Sequence, residues 1–564
     1  MKAWRWVLTA VLLGVVGVPL ALPLVELLQQ PAASQAWEAS ARLGDLAANS
    51  ILLVSGVLAL VLPFGTAGAV LLYRSDLPGR RFFRCLIVLS LFVPLPLFAS
   101  AWQATLGSGG LFPTVGWLAA DPGAAAAPGF PPRYVWQPWA QGIGAAVWVH
   151  AMAGLPWVVW LVGQGLCWVE PALEEDALLV AAPWRVLLAV TLPRCRAALA
   201  AAALIVGVQT ATEITVTDLM QVRTFAEEVY LQFTLQDTLV LARAVAVCLP
   251  LVVVAMTLTL AAVVRWERSL PALDELREPI CLIHLGRARI MVFVGAILTA
   301  ALLTGVPVVG LSWKAGLGGS PESWSLTRLV VQLAAVATGK ASLVLANLLL
   351  ALATGVLGAV LALVGCWLAV ESPWFRVGML VLLAAALATP APVVGIGLKE
   401  TIDLGVSGEE LLGMGANGPM RRGLYDGPSL LPVMWATLLR FLPVAAAVLW
   451  PAVRMIPREL RETARLDGAS PGAELVFVVL PVTWAACVRA AIAVSVLSLG
   501  EIGASKLVET PGATTLSHVI FEQMHRGVPA DVAALCLVQL LTVVAGSSLL
   551  LLPGRANRLW QTGE

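Results

Sequence analysis

Residues 462–481 read Glu462-Thr-Ala-Arg-Leu-Asp-Gly468-Ala-Ser-Pro-Gly-Ala-Glu-Leu-Val-Phe-Val-Val-Leu-Pro481. Residues 458–466 are rich in Arg, Glu and Leu, which favour helix. Gly468 is free to take a positive φ and end that helix. Ser470 before Pro471 is an N-cap followed by a proline in the first turn, so a second helix starts there. Leu480-Pro481 closes the stretch ahead of an apolar run. The sequence therefore predicts a short helix, a tight turn and a second helix, projecting from whatever the flanking apolar runs occupy.

Those runs occupy a membrane. The chain of 564 residues is 59% hydrophobic and 12% charged, with a mean hydropathy of +0.88. A soluble chain carries about twice that share of charge, so too little polar surface exists here to cover a water-soluble body. Sustained apolar stretches lie near 6–28, 50–73, 84–104, 143–164, 195–215, 243–264, 290–312, 342–369, 378–398, 430–450, 483–500 and 530–552. The expected fold is an all-α polytopic membrane protein with about 12 transmembrane helices. Pro94 and Pro96 in the third stretch, and Pro390 and Pro392 in the ninth, are read as prolines that neighbouring helices tolerate. The run from Val7 to Leu28 is too long for a signal-peptide core and is read as a retained first span.

Most of the 35 Lys and Arg residues fall on one side if the N-terminus is placed inside, so both termini are expected in the cytoplasm of a bacterial cell with the chain in its plasma membrane. Residues 105–142 and 402–428 then read as irregular external loops. The mixed-charge segment 269–288 is the expected cytoplasmic linker between a first half, 1–268, and a second half, 289–564. A net charge of +1 indicates no nucleic-acid partner. The eight cysteines are scattered and read as core residues; Cys281 and His284 are spaced C-x-x-H without a second ligand pair.

An internal repeat supports the two halves. A shift of 288 residues places Glu174 on Glu462, Pro183 on Pro471, Val190-Thr-Leu192-Pro193 on Val478-Val-Leu480-Pro481, and Glu213 on Glu501. Each copy sits between the fourth and fifth spans of its half, so the halves are read as parallel six-helix repeats about an axis along the membrane normal.

The second copy, 458–482, resembles the EAA loop of binding-protein-dependent ABC importers, whose pattern is E-A-A, three residues, G, nine residues, I-x-L-P. Glu462, Thr463, Ala464, Gly468, Leu480 and Pro481 stand at the pattern positions, with Thr463 in place of the first Ala. The first copy, 170–194, holds Glu174, Glu175 and Asp176, then Val180 where the glycine belongs, then Leu192-Pro193. A β-branched residue resists positive φ, so this turn is expected to differ in shape. The resemblance implies a type I importer permease whose two loops each seat on a separate ABC ATPase subunit, with a solute-binding protein on the outer side. His150-Ala-Met-Ala-Gly-Leu-Pro-Trp, Thr212-Glu-Ile-Thr-Val-Thr-Asp218, Arg223-Thr-Phe225 with Tyr230, Leu499-Gly-Glu-Ile-Gly-Ala504, Thr514-Thr-Leu516 and His525-Arg-Gly527 look like the fused ferric-iron permeases, and thiamine permeases share several of these features. The implied cargo is ferric iron, with thiamine or another small solute as the alternative.

Glu213 and Glu501 are the candidate translocation-path residues, a symmetric acidic pair; the other reading is helix-end carboxylates satisfied by nearby amides. Arg440 is an intramembrane charge expected to snorkel or to find an internal partner. His518, Glu522 and His525 share one helical face and are weighed as a metal site. The five lysines, Lys2, Lys314, Lys340, Lys399 and Lys506, include none in a phosphate-binding G-x-x-x-x-G-K-[ST] loop. The chain is therefore read as a non-enzyme that binds no cofactor, with ATP used by its partners. Asp76-Leu-Pro-Gly-Arg-Arg81 resembles part of a major-facilitator loop, but the first Arg of that motif is replaced by Leu77, and that family has no counterpart to the two Leu-Pro loops.

Overall fold

The computed structural model describes residues 2–29, 40–107, 111, 141–226, 228, 252–264, 280–319, 323–524 and 528–551. The chain is an all-α polytopic membrane protein. Among the described residues eight helices are long and apolar enough to cross a bilayer: Ala3–Val25, Gly44–Arg74, Gly142–Cys167, Gly286–Gly316, Ala341–Glu371, Leu431–Arg454, Pro471–Ser498 and Ala530–Leu551. Three further pairs are bent, which raises the number to eleven if each pair is one span. Twelve were expected. The sixth expected span, 243–264, lies partly outside the described residues, and its described part is the short apolar helix Val252–Val264.

The prolines account for two of the bends. Arg80–Ser90 and Leu95–Leu106 meet at 105°, and Pro373–Ala388 and Ala391–Leu411 meet at 113°. Pro94 (φ −61°, ψ 142°) and Pro390 (φ −55°, ψ 141°) stand as the caps of the second helix in each pair. A proline donates no N–H and drives the residue before it out of the helical region, so the first helix stops. The second proline of each P-x-P then occupies the first turn, where no donor is needed. The freed carbonyl of Pro94 accepts from Leu97 N at 3.0 Å and Phe98 N at 3.2 Å. The expected tolerated prolines are thus helix breaks.

Residues 402–411, expected in an irregular loop, continue the Ala391–Leu411 helix. Beyond it the chain is pinned back by Glu409, whose carboxylate accepts from Met420 N at 2.7 Å and Arg421 N at 3.0 Å.

Two large cores organise the molecule, and each draws on helices far apart in the sequence. Leu8, Leu12 and Val16 of the first span pack with Leu363, Trp367 and Leu383. Trp435 donates its indole N–H to Val15 O at 2.8 Å across 420 residues of sequence. Reciprocally, Leu311 and Ala315 of Gly286–Gly316 pack with Phe98, Trp102 and Val149. Without a hydrophobic drive between helices in lipid, close backbone approach matters most. It is closest at Gly397, where a Cβ would strike the Pro19 carbonyl oxygen.

The described end of the linker is also docked. Leu282 N and Ile283 N both donate to Arg74 O at 3.0 Å, and Asp76 N donates to Ile283 O at 3.3 Å. The Asp76 carboxylate accepts from Leu285 N at 2.8 Å. That bond holds its carboxyl below the ordinary range.

Gly397→Leu is expected to lower stability by about 1–3 kcal/mol through overpacking against the first helix. Gly378→Leu, with open space at its Cβ, is expected to be near neutral. Melting of both variants in detergent checks the contrast.

Candidate functional site

The two loops singled out in the sequence fold with the same elements. In the second, Arg458–Leu466 is helical and ends in a Schellman turn: Ala469 N donates to Ala464 O at 3.0 Å and Gly468 N to Arg465 O at 3.1 Å. Gly468 has a φ of 84°. The Ser470 hydroxyl accepts from Ala473 N at 3.2 Å and caps the next helix, Pro471–Glu474. A π-turn, Leu475–Val479, leads into the span.

The first loop has Pro171–Leu178, then Pro183–Val186, then the π-turn Leu187–Thr191. The last two elements stand 288 residues before Pro471–Glu474 and Leu475–Val479. Its turn lacks the glycine geometry, since Gln221 is the one non-glycine residue at positive φ among the described residues. The turn closes instead by Val180 N to Ala177 O at 3.2 Å and Ala181 N to Ala177 O at 2.9 Å.

The π-turns give the Leu-Pro pairs a physical reason. Pro193 and Pro481 cannot donate to the preceding turn, and their rings would press on the carbonyl four residues back. Widening the helix by one residue relieves this. Leu192 N donates to Leu187 O and Leu480 N to Leu475 O, each five residues back.

Each loop is buttressed by buried charge, with opposite polarity. In the first, Glu174 is fully buried and lies 2.9 Å from Arg74, the last residue of the Gly44–Arg74 span, itself fully buried. Thr191 donates to the same carboxylate at 2.7 Å. Arg74 also donates to Leu166 O at 2.6 Å and Ile280 O at 3.2 Å. In the second, the span end is acidic. Glu371 lies 2.7 Å from Arg461 and 2.9 Å from Arg465. Both arginines turn on buried Glu474, at 2.9 and 2.8 Å. The Trp367 indole N–H donates to it at 3.3 Å.

Glu462 and Thr463 are exposed, Ala464 and Leu480 half-buried, and Pro481 exposed; Glu175, Asp176 and Pro193 are exposed and Leu192 half-buried. The turn tips carry bare apolar side chains, with Leu179 and Val180 83% and 89% exposed and Leu466 87% exposed, the last beside exposed Asp467. The sequence reading missed Arg74, Glu371, Arg461, Arg465 and Glu474. The i, i+4 spacing of Arg461 and Arg465 on one helical face was the available signal.

Glu213 and Glu501 act alike but not as a free acidic pair. Glu213 follows Arg196–Thr212 and accepts from Thr215 N at 2.7 Å and Val216 N at 2.9 Å. Glu501 accepts from Ala504 N at 2.8 Å and Ser505 N at 2.9 Å. Each caps the next short helix. His150 Nε2, on the preceding span, is 3.6 Å from Glu213, and Arg440, on the span before Glu501, lies within reach of that carboxylate's charge. Arg440 further donates to Thr389 O at 3.0 Å, at the ninth-stretch break.

His518 is wholly buried, with its ring nitrogens on Ser505 Oγ at 2.8 Å and Glu509 at 3.0 Å, while Glu522 pairs with Lys506. His525 and Tyr230 lie outside the described residues. Among the described residues no three His, Cys, Asp or Glu side chains are grouped to hold a metal ion.

No family model matches the chain, and no curated protein matches it.

Arg74→Met strands a buried carboxylate and is expected to cost about 3–5 kcal/mol, whereas Arg74→Met with Glu174→Leu removes both charges and recovers most of that loss. Thermal unfolding of both variants in detergent reads the difference; equal losses sink the pairing. Glu213→Gln keeps an acceptor and is expected to cost little, while Glu213→Ala loses the cap and about 1 kcal/mol.

Proposed function

We propose that the chain is the membrane-spanning permease subunit of a binding-protein-dependent ABC importer. The observation that carries this is the pair of helix–turn–helix loops, matched in element order at a 288-residue offset. Each has a bare apolar side chain at its tip and a base fixed to the end of a long span by buried charge. A rigid projecting lever with an apolar tip suits docking into a groove of a separate motor protein, and its buttress suits passing movement to the span. In this reading two ATPase subunits close on ATP, push the loops together and rock two parallel six-helix halves between inward- and outward-open states. Both loops and both termini then face the bacterial cytoplasm, and a solute-binding protein docks outside. The resemblance to fused ferric-iron permeases makes ferric iron the proposed cargo.

Mass spectrometry of complexes from gently solubilised membranes tests the reading. We expect two ABC ATPases per chain and a solute-binding protein, whose ligand identifies the cargo. Leu179→Asp or Leu466→Asp places a charge on one apolar tip and is expected to reduce the ATPase stoichiometry from two to one. Absence of any ATPase, with ion-coupled uptake by the chain alone, overturns the proposal.

A further inference from the structure

An apolar groove with a cavity volume of about 540 Å3 is walled by the Gly44–Arg74, Arg80–Ser90 and Gly142–Cys167 helices and, opposite Arg80–Ser90, by Gly286–Gly316. Leu72, Leu77, Phe83, Ile87, Val292 and Ala296 line it. Phe83 meets Phe293 edge-on with ring centroids 6.0 Å apart, which ties the walls together near their starts.

The mouth of this groove is basic. Arg80 opens its helix three residues before Phe83, and Arg289 lies three residues before Val292. Each therefore stands about one turn beyond a lining residue on its own wall. Arg81 and Arg287 are exposed beside them. Arg84 points inward, with Nε on Leu72 O at 2.9 Å and its guanidinium over the Tyr73 ring at 4.1 Å. Arg80 is steadied by its bond to Ser75 O at 3.2 Å. Among the described residues the acidic group near them is Asp76, on which Arg289 and His284 act electrostatically. Among the described residues here, one carboxylate stands against four exposed arginines, Arg80, Arg81, Arg287 and Arg289, which leaves positive charge in excess. The Arg80–Ser90 helix also begins at Gly79 without a side-chain cap, so its first backbone N–H groups add to it.

Hydrocarbon below and cationic side chains one turn above match one class of molecule. We propose that this groove binds an anionic phospholipid, with an acyl chain along Phe83, Ile87 and Ala296 and the phosphodiester held by Arg80 and Arg289. The lipid would bridge the first half to the first span of the second, independently of what the chain transports.

The test is native mass spectrometry of the delipidated full chain, titrated with phosphatidylglycerol and phosphatidylcholine of identical acyl chains. Phosphatidylglycerol is expected to bind more tightly. The Arg80→Ala, Arg289→Ala double variant is expected to lose roughly 30-fold in phosphatidylglycerol affinity, from about 1 kcal/mol per charge, and to bind the two lipids alike. Gly295→Leu, at a lining position with open space around its Cβ, fills the groove without touching the arginines and is expected to weaken both lipids. Equal binding of the two lipids by the unmodified chain overturns the site, as does unchanged phosphatidylglycerol binding in both variants. Competition by inorganic phosphate as strong as by the lipid also overturns it, in favour of a small-anion site.

Discussion

The Arg74–Glu174 contact governs how the first loop relates to the rest of the molecule. Both side chains are fully removed from solvent. Neither charge survives there alone, because taking an ion out of water costs several kcal/mol unless a partner and further hydrogen bonds offset it. Arg74 therefore collects Glu174, Leu166 O and Ile280 O. Those partners belong to the loop, the Gly142–Cys167 helix and the segment expected as a linker. Such a pair adds little net stability over an apolar substitute. Its effect is positional: the loop cannot shift without carrying the end of the Gly44–Arg74 span along.

The second loop reaches the same mechanical result with the charges reversed. Its span ends in Glu371, and the cations ride on the loop as Arg461 and Arg465. Glu474 occupies a position where the first loop has Val186, and both are buried. What the copies share is backbone: a proline-started helix, a π-turn and a Leu-Pro entry to the span. The side chains that fix each loop differ, so the two loops are locked independently. A change suited to one buttress would place like charges together in the other.

The parts legible in the sequence were those set by local chemistry. Gly468 and Ser470 act within a few residues, and their turn and cap follow from what glycine and serine do anywhere. Val180 likewise signalled a differently shaped turn. The apolar runs marked where helices lie but not whether they stay straight. Pro94-Leu-Pro96 and Pro390-Ala-Pro392 look like tolerated interruptions until the first proline is seen to end one helix and the second to start another. Glu213 and Glu501 both accept from the backbone at the start of a short helix, and caps and cavity carboxylates have the same sequence signature. Arg74 and Glu174 are separated by most of two spans, and only the packing of those spans brings them together. The docking of residues 280–285 on the end of Gly44–Arg74 was invisible for the same reason.

The packing of the first helix against residues far along the chain has a consequence for how the molecule is made. The Ala3–Val25 helix leaves the ribosome long before Leu363, Trp367 and Trp435, which it needs. It must wait in lipid, unpartnered, through most of translation. Its long apolar run beyond Arg5 lets it do so without aggregating, and the bilayer itself serves as its chaperone. Assembly of the second core is then timed by the completion of the chain rather than by the emergence of its own helices.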